Sequence, residues 1–215
     1  AGGASTFDGL GGSSVAIYDD EAHSLPDLGH FAKENQIVMP GTGSKTVVFP
    51  LEDGPASPDS QLYMYVGTKD AGSPSVLGKN GLEGGKLYVL KLGSMANEDD
   101  FEQGVAFGTW VEIPDAGTLS DTQLESAADA AGAFGFYRIE DGASSDTSSR
   151  NFYFVTTGAG GTNRLGRIYR LTYDPGNPAG GALLTLVHNA DSIIASGGDT
   201  AVSPDNIEVG GRYLM

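Results

Sequence analysis

Short apolar runs alternate along the chain with breaks rich in Gly, Ser and Asp. Runs rich in β-branched and aromatic residues fall at 46–49, 62–66, 86–92, 109–113, 134–139, 151–157, 167–173, 183–187 and 207–214. Most are four to eight residues long and are bounded by Gly, Asp, Asn or Pro, which predicts strands. Segments 158–161 and 175–181 predict turns. One stretch has another period. Ser120 and Gln123 have the spacing of a capping box, 124–131 is rich in Ala, and Gly132 supplies a stop. A single short helical insertion is therefore predicted near 120–132, inside an otherwise all-β chain.

The pattern repeats. Leu51-Glu52-Asp53-Gly54 heads the strand at 62–66, and Ile139-Glu140-Asp141-Gly142 heads the strand at 151–157. Each copy continues to a third piece, Gly85-Lys86-Leu87-Tyr88 in one and Gly166-Arg167-Ile168-Tyr169 in the other. The acidic heads are 88 residues apart and the third pieces 81. A weaker third start is Pro204-Asp205-Asn206-Ile207. Acidic turn, strand, loop, strand is the grammar of a propeller blade. A β-sandwich also has many short strands, but has no reason to repeat an acidic turn at the head of each unit. The expected fold is a partial β-propeller over 15–215, about half of a six-bladed ring, behind a flexible Gly/Ser-rich segment at 1–14. The chain starts without Met and stops in what reads as mid-strand, at Tyr213-Leu214-Met215. It is therefore expected to continue beyond this end, with the rest of the propeller as a second fragment or a neighbouring subunit.

Charge narrows the functions. Twelve basic residues face 28 acidic ones, a formal net charge of −16. Such a chain repels phosphate backbones and anionic membranes, so neither nucleic acid nor a membrane surface is an expected partner. No apolar run approaches the roughly 18 to 20 residues of a membrane span. The absence of Cys excludes disulfide scaffolds, Cys-ligated zinc, iron–sulfur centres and cysteine nucleophiles. It suits an extracellular, cell-surface or periplasmic protein.

Carboxylates are ligands of hard cations such as calcium, which takes about six to eight oxygens. Inner strands of propeller blades converge on the axis, so like-placed carboxylates of successive blades would form one ring. Glu52, Asp53, Glu140, Asp141, Asp205 and Asn206 are the candidate metal ligands. Asp-Gly is also simply a favoured hairpin turn. Arg138 and Glu140 are two apart and share a strand face. That pairing suits a site where metal and Arg together hold a phosphate or carboxylate, but on spacing alone a plain same-face salt bridge is the readier explanation. Lys69 is a weaker anion-binding candidate. Gly41-Thr42-Gly43-Ser44-Lys45-Thr46 hints at a phosphate loop, but Ser44 replaces the required Gly and a strand follows instead of a helix. Gly158-Ala159-Gly160-Gly161-Thr162-Asn163 lacks the last glycine of a dinucleotide fingerprint. His23, His30 and His188 have no ligand spacing, no Ser sits in a nucleophile elbow, and Trp110 is expected to pack between blades.

Three motifs in order, Phe136-Tyr137-Arg138-Ile139-Glu140-Asp141-Gly142, then Asn151-Phe152-Tyr153-Phe154-Val155-Thr156-Thr157, then Ser203-Pro204-Asp205-Asn206-Ile207, resemble the PhoX-type alkaline phosphatases. Leu62-Tyr63-Met64-Tyr65-Val66-Gly67-Thr68-Lys69 and Gly85-Lys86-Leu87-Tyr88 fit the same pattern, so the resemblance covers about 37–215. It implies a secreted β-propeller that hydrolyses phosphomonoesters with calcium and iron in its channel. The family's Arg-Pro-Glu motif, whose Glu is a metal ligand, falls on Arg138-Ile139-Glu140, and its Pro-Asp-Asn motif on Pro204-Asp205-Asn206. Ile139 replaces the usual Pro. The iron-containing members use a Cys ligand that this chain lacks, so the resemblance carries calcium but not iron. Two functions follow as expectations: a metal-dependent phosphatase acting on a phosphate ester with Arg138 as a catalytic residue, or a non-catalytic calcium-stabilised propeller with a structural, adhesive or surface-assembly role.

Overall fold

The computed structural model describes residues 9, 11–54, 56–145, 148–211 and 213–215. The flexible segment expected at 1–14 falls mostly outside them. Among the described residues, β1 (Ser14–Tyr18) and β2 (Glu21–Leu25) form a hairpin over Asp19 and Asp20. There follow β3 (Lys33–Val38), β4 (Lys45–Glu52), β5 (Ser60–Gln61), β6 (Tyr63–Thr68), β7 (Lys86–Lys91) and β8 (Val105–Ile113). The second half holds β9 (Gly135–Phe136), β10 (Ile139–Ser145), β11 (Ser148–Thr156), β12 (Arg167–Tyr173) and β13 (Ala182–Asn189). A last hairpin pairs β14 (Val209–Gly210) with β15 (Tyr213–Leu214). The helices are α1 (Val76–Lys79), α2 (Asp121–Ala131) and α3 (Ala190–Ala195).

Nine strands make one antiparallel sheet in the order β10-β11-β12-β13-β8-β7-β6-β4-β3. It consists of two four-stranded meanders, β4-β6-β7-β8 and β10-β11-β12-β13, the two units that the repeat predicts. β8 joins them. Its first half, Val105 to Gly108, pairs with β13, and its second half, Thr109 to Ile113, pairs with β7. The sheet folds back at this joint, so the meanders face each other and the edge strands β3 and β10 meet at a seam. The class is all-β, and the nearly closed sheet has the form of a partial, propeller-like fold.

Strand alternation explains the layers. Phe49, Leu51, Leu62, Met64 and Leu90 of the first meander meet Phe152, Phe154, Tyr169, Leu171 and Leu184 of the second. Phe49 stacks on Phe152 with centroids 4.2 Å apart, and Trp110 packs in this same layer. The other face of the first meander, with Val48, Tyr63, Tyr65, Leu87 and Val89, is covered by Leu25, Leu28 and, from α2, Leu124 and Ala128. The other face of the second, with Tyr153, Val155 and Ile168, meets Ile207, Val209 and Leu214. Strands covered on both faces read as continuous apolar runs, as β4 does.

The predicted helix is α2. Gln123 Oε1 accepts both the backbone N–H and the hydroxyl of Ser120 at 3.0 Å, and Gly132 closes the helix at φ 75°. The acidic heads differ from expectation, because neither copy is a turn. Glu52 is the last residue of β4, and Glu140-Asp141-Gly142 lies within β10. Gly142 serves close packing there, since a Cβ would come 2.6 Å from the Phe152 ring. The strand expected at 134–139 breaks at Tyr137 and Arg138. The strand expected at 207–214 is instead the β14–β15 hairpin, with Arg212 outside the described residues. β8 begins earlier than expected because its first residues find a partner in β13, remote in sequence.

Candidate metal centre

The two strands that meet at the seam each carry a bulge. The register shifts in β3 between Lys33 and Gln36, and in β10 between Ile139 and Gly142. Glu34 and Asn35 stand on one bulge, Glu140 and Asp141 on the other. A bulge adds a residue, bends its strand and re-aims side chains, and such features gather beside functional sites. Asp53 follows directly on β4. Glu34, Asp53 and Glu140 each offer a carboxylate oxygen, and the three lie within 4.8 Å of one another.

Arg138 enters this group from the break before β10. Its φ is 57°, a left-handed conformation that costs a non-glycine residue roughly 1–3 kcal/mol and is found at ligand sites. The backbone is pinned there: Arg138 C=O accepts the Thr157 N–H at 3.1 Å and Tyr137 C=O accepts the Gly158 N–H at 3.2 Å. Arg138 Nη2 lies 2.6 Å from Glu140 Oε1, and its Nε lies 3.4 Å from Asp53 Oδ1. The Thr157 hydroxyl donates to Glu140 Oε1 at 2.8 Å and lies 3.1 Å from the Pro204 carbonyl, which draws the third acidic segment to the seam. Glu140 is only 3% exposed. Burial pushes its carboxyl above the ordinary range, the Thr157 hydroxyl and Arg138 oppose this, and the charges of Asp53 and Asp205 add to the rise. A cation at this point would relieve that repulsion.

The structure therefore brings Asp53, Arg138 and Glu140 together and places Asp205, exposed, within electrostatic reach. Asn206 is exposed, and its Nδ2 lies 3.4 Å from Asp205 Oδ2. Asp141 is committed to other partners: Asn35 Nδ2 donates to its Oδ1 at 2.6 Å and the Ile207 N–H to its Oδ2 at 3.1 Å. Glu52 is not at the seam. Neighbouring residues of an extended chain point to opposite sides, and Glu52 faces an acidic depression of about 310 Å³ shared with Asp59, Asp121 and Glu125. Its Oε2 accepts the Gln61 N–H at 2.6 Å. Burial, aided by those acids, holds its carboxyl well above the ordinary range. Glu34 and Thr157 were not marked by the repeat. Glu34 reaches the seam through a bulge that no motif announces, and Thr157 looks like the last residue of a strand.

Lys33, the first residue of β3, pairs with Glu52 of β4 and donates to the carbonyls of Gly12 and Gly29 at 2.8 and 2.7 Å. Burial lowers its pKa to about 7, against the pull of Glu52 and Asp121. A lysine of ordinary pKa 10.5 when unfolded and about 7 when folded binds its proton more weakly in the native state. Stability from this group rises as pH climbs between those values. The raised carboxyls of Glu52 and Glu98 act oppositely: their stabilisation is full below about 4.5 and is lost as pH rises through their folded values. With cations chelated, the melting temperature is expected to fall from about pH 4.5 toward neutrality and to recover between about 7 and 10.5. Lys33→Met should flatten only the upper limb. A scan of melting temperature against pH checks this, and an unchanged upper limb in the variant counts against it.

Fold and seam together define an all-β protein with an oxygen-donor, carboxylate-rich centre and one arginine set against it. The chain matches the family model described as alkaline phosphatase PhoX over residues 17–210, and it belongs to that family. At family level it is thus an alkaline-phosphatase-type protein. No curated protein and no solved structure matches it significantly.

Proposed function

We propose that the chain is a secreted, calcium-dependent phosphomonoesterase that works at the seam between β3 and β10. The observation that carries this reading is the convergence of Glu34, Asp53 and Glu140 on Arg138. The donors are oxygens alone, which suits Ca²⁺. An iron centre with a thiolate ligand does not fit a chain without Cys. A bound hard cation supplies Lewis-acid polarisation of the phosphoryl oxygens and neutralises their charge. Glu34, Asp53 and Glu140 would hold it. Thr157 fixes the rotamer of Glu140, and Arg138 turns its planar donors from the carboxylates to the phosphoryl oxygens. In the reaction a water oxygen bonds to phosphorus as the ester P–O bond breaks. One water proton ends on the departing alcohol and the other on inorganic phosphate.

Secretion is inferred from the family resemblance and from an acidic chain free of thiols. Among the described residues no helix is long and apolar enough to cross a membrane. A second reading, a calcium-stabilised propeller without catalysis, draws on Arg138 already bridging two of the carboxylates. Hydrolysis of a chromogenic phosphomonoester, with Ca²⁺ or with chelator, separates them. The phosphatase reading expects Ca²⁺-dependent phosphate release. A higher melting temperature in Ca²⁺ without hydrolysis, even with Fe³⁺ added, favours the second reading. A cation at a hundredfold excess over its Kd stabilises a fold by about 2.7 kcal/mol, so no thermal effect and no hydrolysis would overturn both.

A further inference from the structure

The carboxylates of the seam come from separate stretches of chain. Glu34 stands on the bulge of β3, Glu140 on the bulge of β10, and Asp205 on the segment leading to Ile207. Among the described residues, no backbone ladder fixes these three stretches to one another at the site. One side chain touches all of them. Asp141 adjoins Glu140, its Oδ1 accepts from Asn35, the neighbour of Glu34, and its Oδ2 accepts the backbone N–H of Ile207, two residues beyond Asp205. Both of its oxygens are thus committed to protein donors, and neither belongs to the converging set of Glu34, Asp53 and Glu140.

We infer that Asp141 is a positioning residue: a tie that draws the Glu34 and Asp205 segments against Glu140 and so sets the spacing of the cation's ligands. This rests on the proposed metal centre and deepens it. Partners of this outer kind orient ligands, and their loss typically costs 10- to 100-fold in metal affinity. The test is Asn35, which is exposed and uncharged: its Nδ2 donates to Asp141 while its Oδ1 accepts the Gln36 N–H within the β3 bulge at 2.7 Å, so the single variant is read together with the double variant, which isolates the part that passes through Asp141.

Calcium affinity of the full chain would be measured by calorimetry, together with the melting temperature in chelator. Asn35→Ala is expected to weaken Ca²⁺ binding about tenfold with no change of melting temperature in chelator. Asp141→Ala should lose at least as much, and adding Asn35→Ala to it should cost nothing further. Asn35→Ala with unaltered affinity overturns the tie. So does a double variant whose loss is the full product of the two single losses, since Asp141 would then act as a ligand independent of Asn35. Glu140→Gln in the same series separates the two levels. If it leaves Ca²⁺ affinity untouched, the metal centre itself fails and the tie with it. If it weakens binding while Asn35→Ala does not, only the tie fails.

Discussion

Glu140→Gln is expected to weaken Ca²⁺ binding by more than about a hundredfold and to remove phosphate release. The side chain is nearly enclosed and has almost no room to adjust. It meets Arg138 Nη2 at 2.6 Å and the Thr157 hydroxyl at 2.8 Å on a single oxygen, and Asp53 and Glu34 stand beside it. The substitution keeps shape but removes a charge, and an amide is a poorer donor to a hard cation. The amide oxygen can keep both donors on the Oε1 position, which leaves the amide nitrogen, a donor, where the second carboxylate oxygen stood. Changes outside the ligand shell cost about 10- to 100-fold, so loss of a central ligand should exceed them. Glu112→Gln is the control. Glu112 pairs with Lys86 at 2.8 Å on the surface, away from the seam, and its variant should bind Ca²⁺ normally. Equal calorimetric affinities for the two variants would show that Glu140 is only the partner of Arg138.

Much of the fold was legible because the local signals are strong. The strand at Arg167–Tyr173 and the helix after Ser120 lie where alternation and capping chemistry put them. The repeat at Glu52-Asp53 and Glu140-Asp141 pointed to two like units, and two meanders are present. It could not tell which of two neighbouring acids turns to the seam. That is decided by strand direction and register. Asp53 goes to the seam and Glu52 away from it because alternate residues face opposite ways, while Glu140 and Asp141 both reach it because β10 is bulged there. The turn reading of Glu140-Asp141-Gly142 failed for a related reason. Asp-Gly commonly marks a turn, but here the glycine answers to the Phe152 ring on the neighbouring strand, a contact between positions ten apart. Glu34 was invisible because its strand is polar and its bulge is set by pairing with β4.

Sequence reading also passed over Glu98, and the largest effect on stability is expected there. Glu98→Ala should cost about 3–5 kcal/mol, because its carboxylate is the shared acceptor of four buried donors and each unmet buried group costs about 1–3 kcal/mol. At roughly 2–4 °C per kcal/mol for a domain of this size, the melting temperature should fall by roughly 6–20 °C. Glu98 and Arg167 are both fully buried. Glu98 lies in the loop between β7 and β8, yet every donor to its carboxylate belongs to the other half of the chain: Tyr137 N–H at 2.6 Å, the Thr156 hydroxyl and Asn163 Nδ2 at 3.0 Å, and the Tyr169 hydroxyl. Arg167 Nη1 completes the joint by donating to the carbonyls of Glu98 and Phe101 at 2.9 and 3.0 Å. Burial pushes the Glu98 carboxyl up, while these donors and Arg167 pull it down. Alanine removes the shared acceptor of these four donors, leaving Asn163 Nδ2 only the Thr156 hydroxyl at 2.8 Å while Arg167 keeps its backbone carbonyls, and each group left unmet carries that cost. The joint also serves the seam, because Tyr137 and Thr156 immediately precede Arg138 and Thr157. Removing Arg167 as well, as Glu98→Ala with Arg167→Met, should lose less than the two single losses combined, since the two side chains share Tyr169 as a partner and interact electrostatically. Lys86→Ala, which breaks a surface pair, should leave the melting temperature unchanged. Chemical denaturation of the four variants decides the matter: strict additivity, or a Glu98→Ala loss below about 1 kcal/mol, the scale of a single ordinary hydrogen bond, would show that the two meanders are held by their aromatic layer and the β8 ladders without help from this joint.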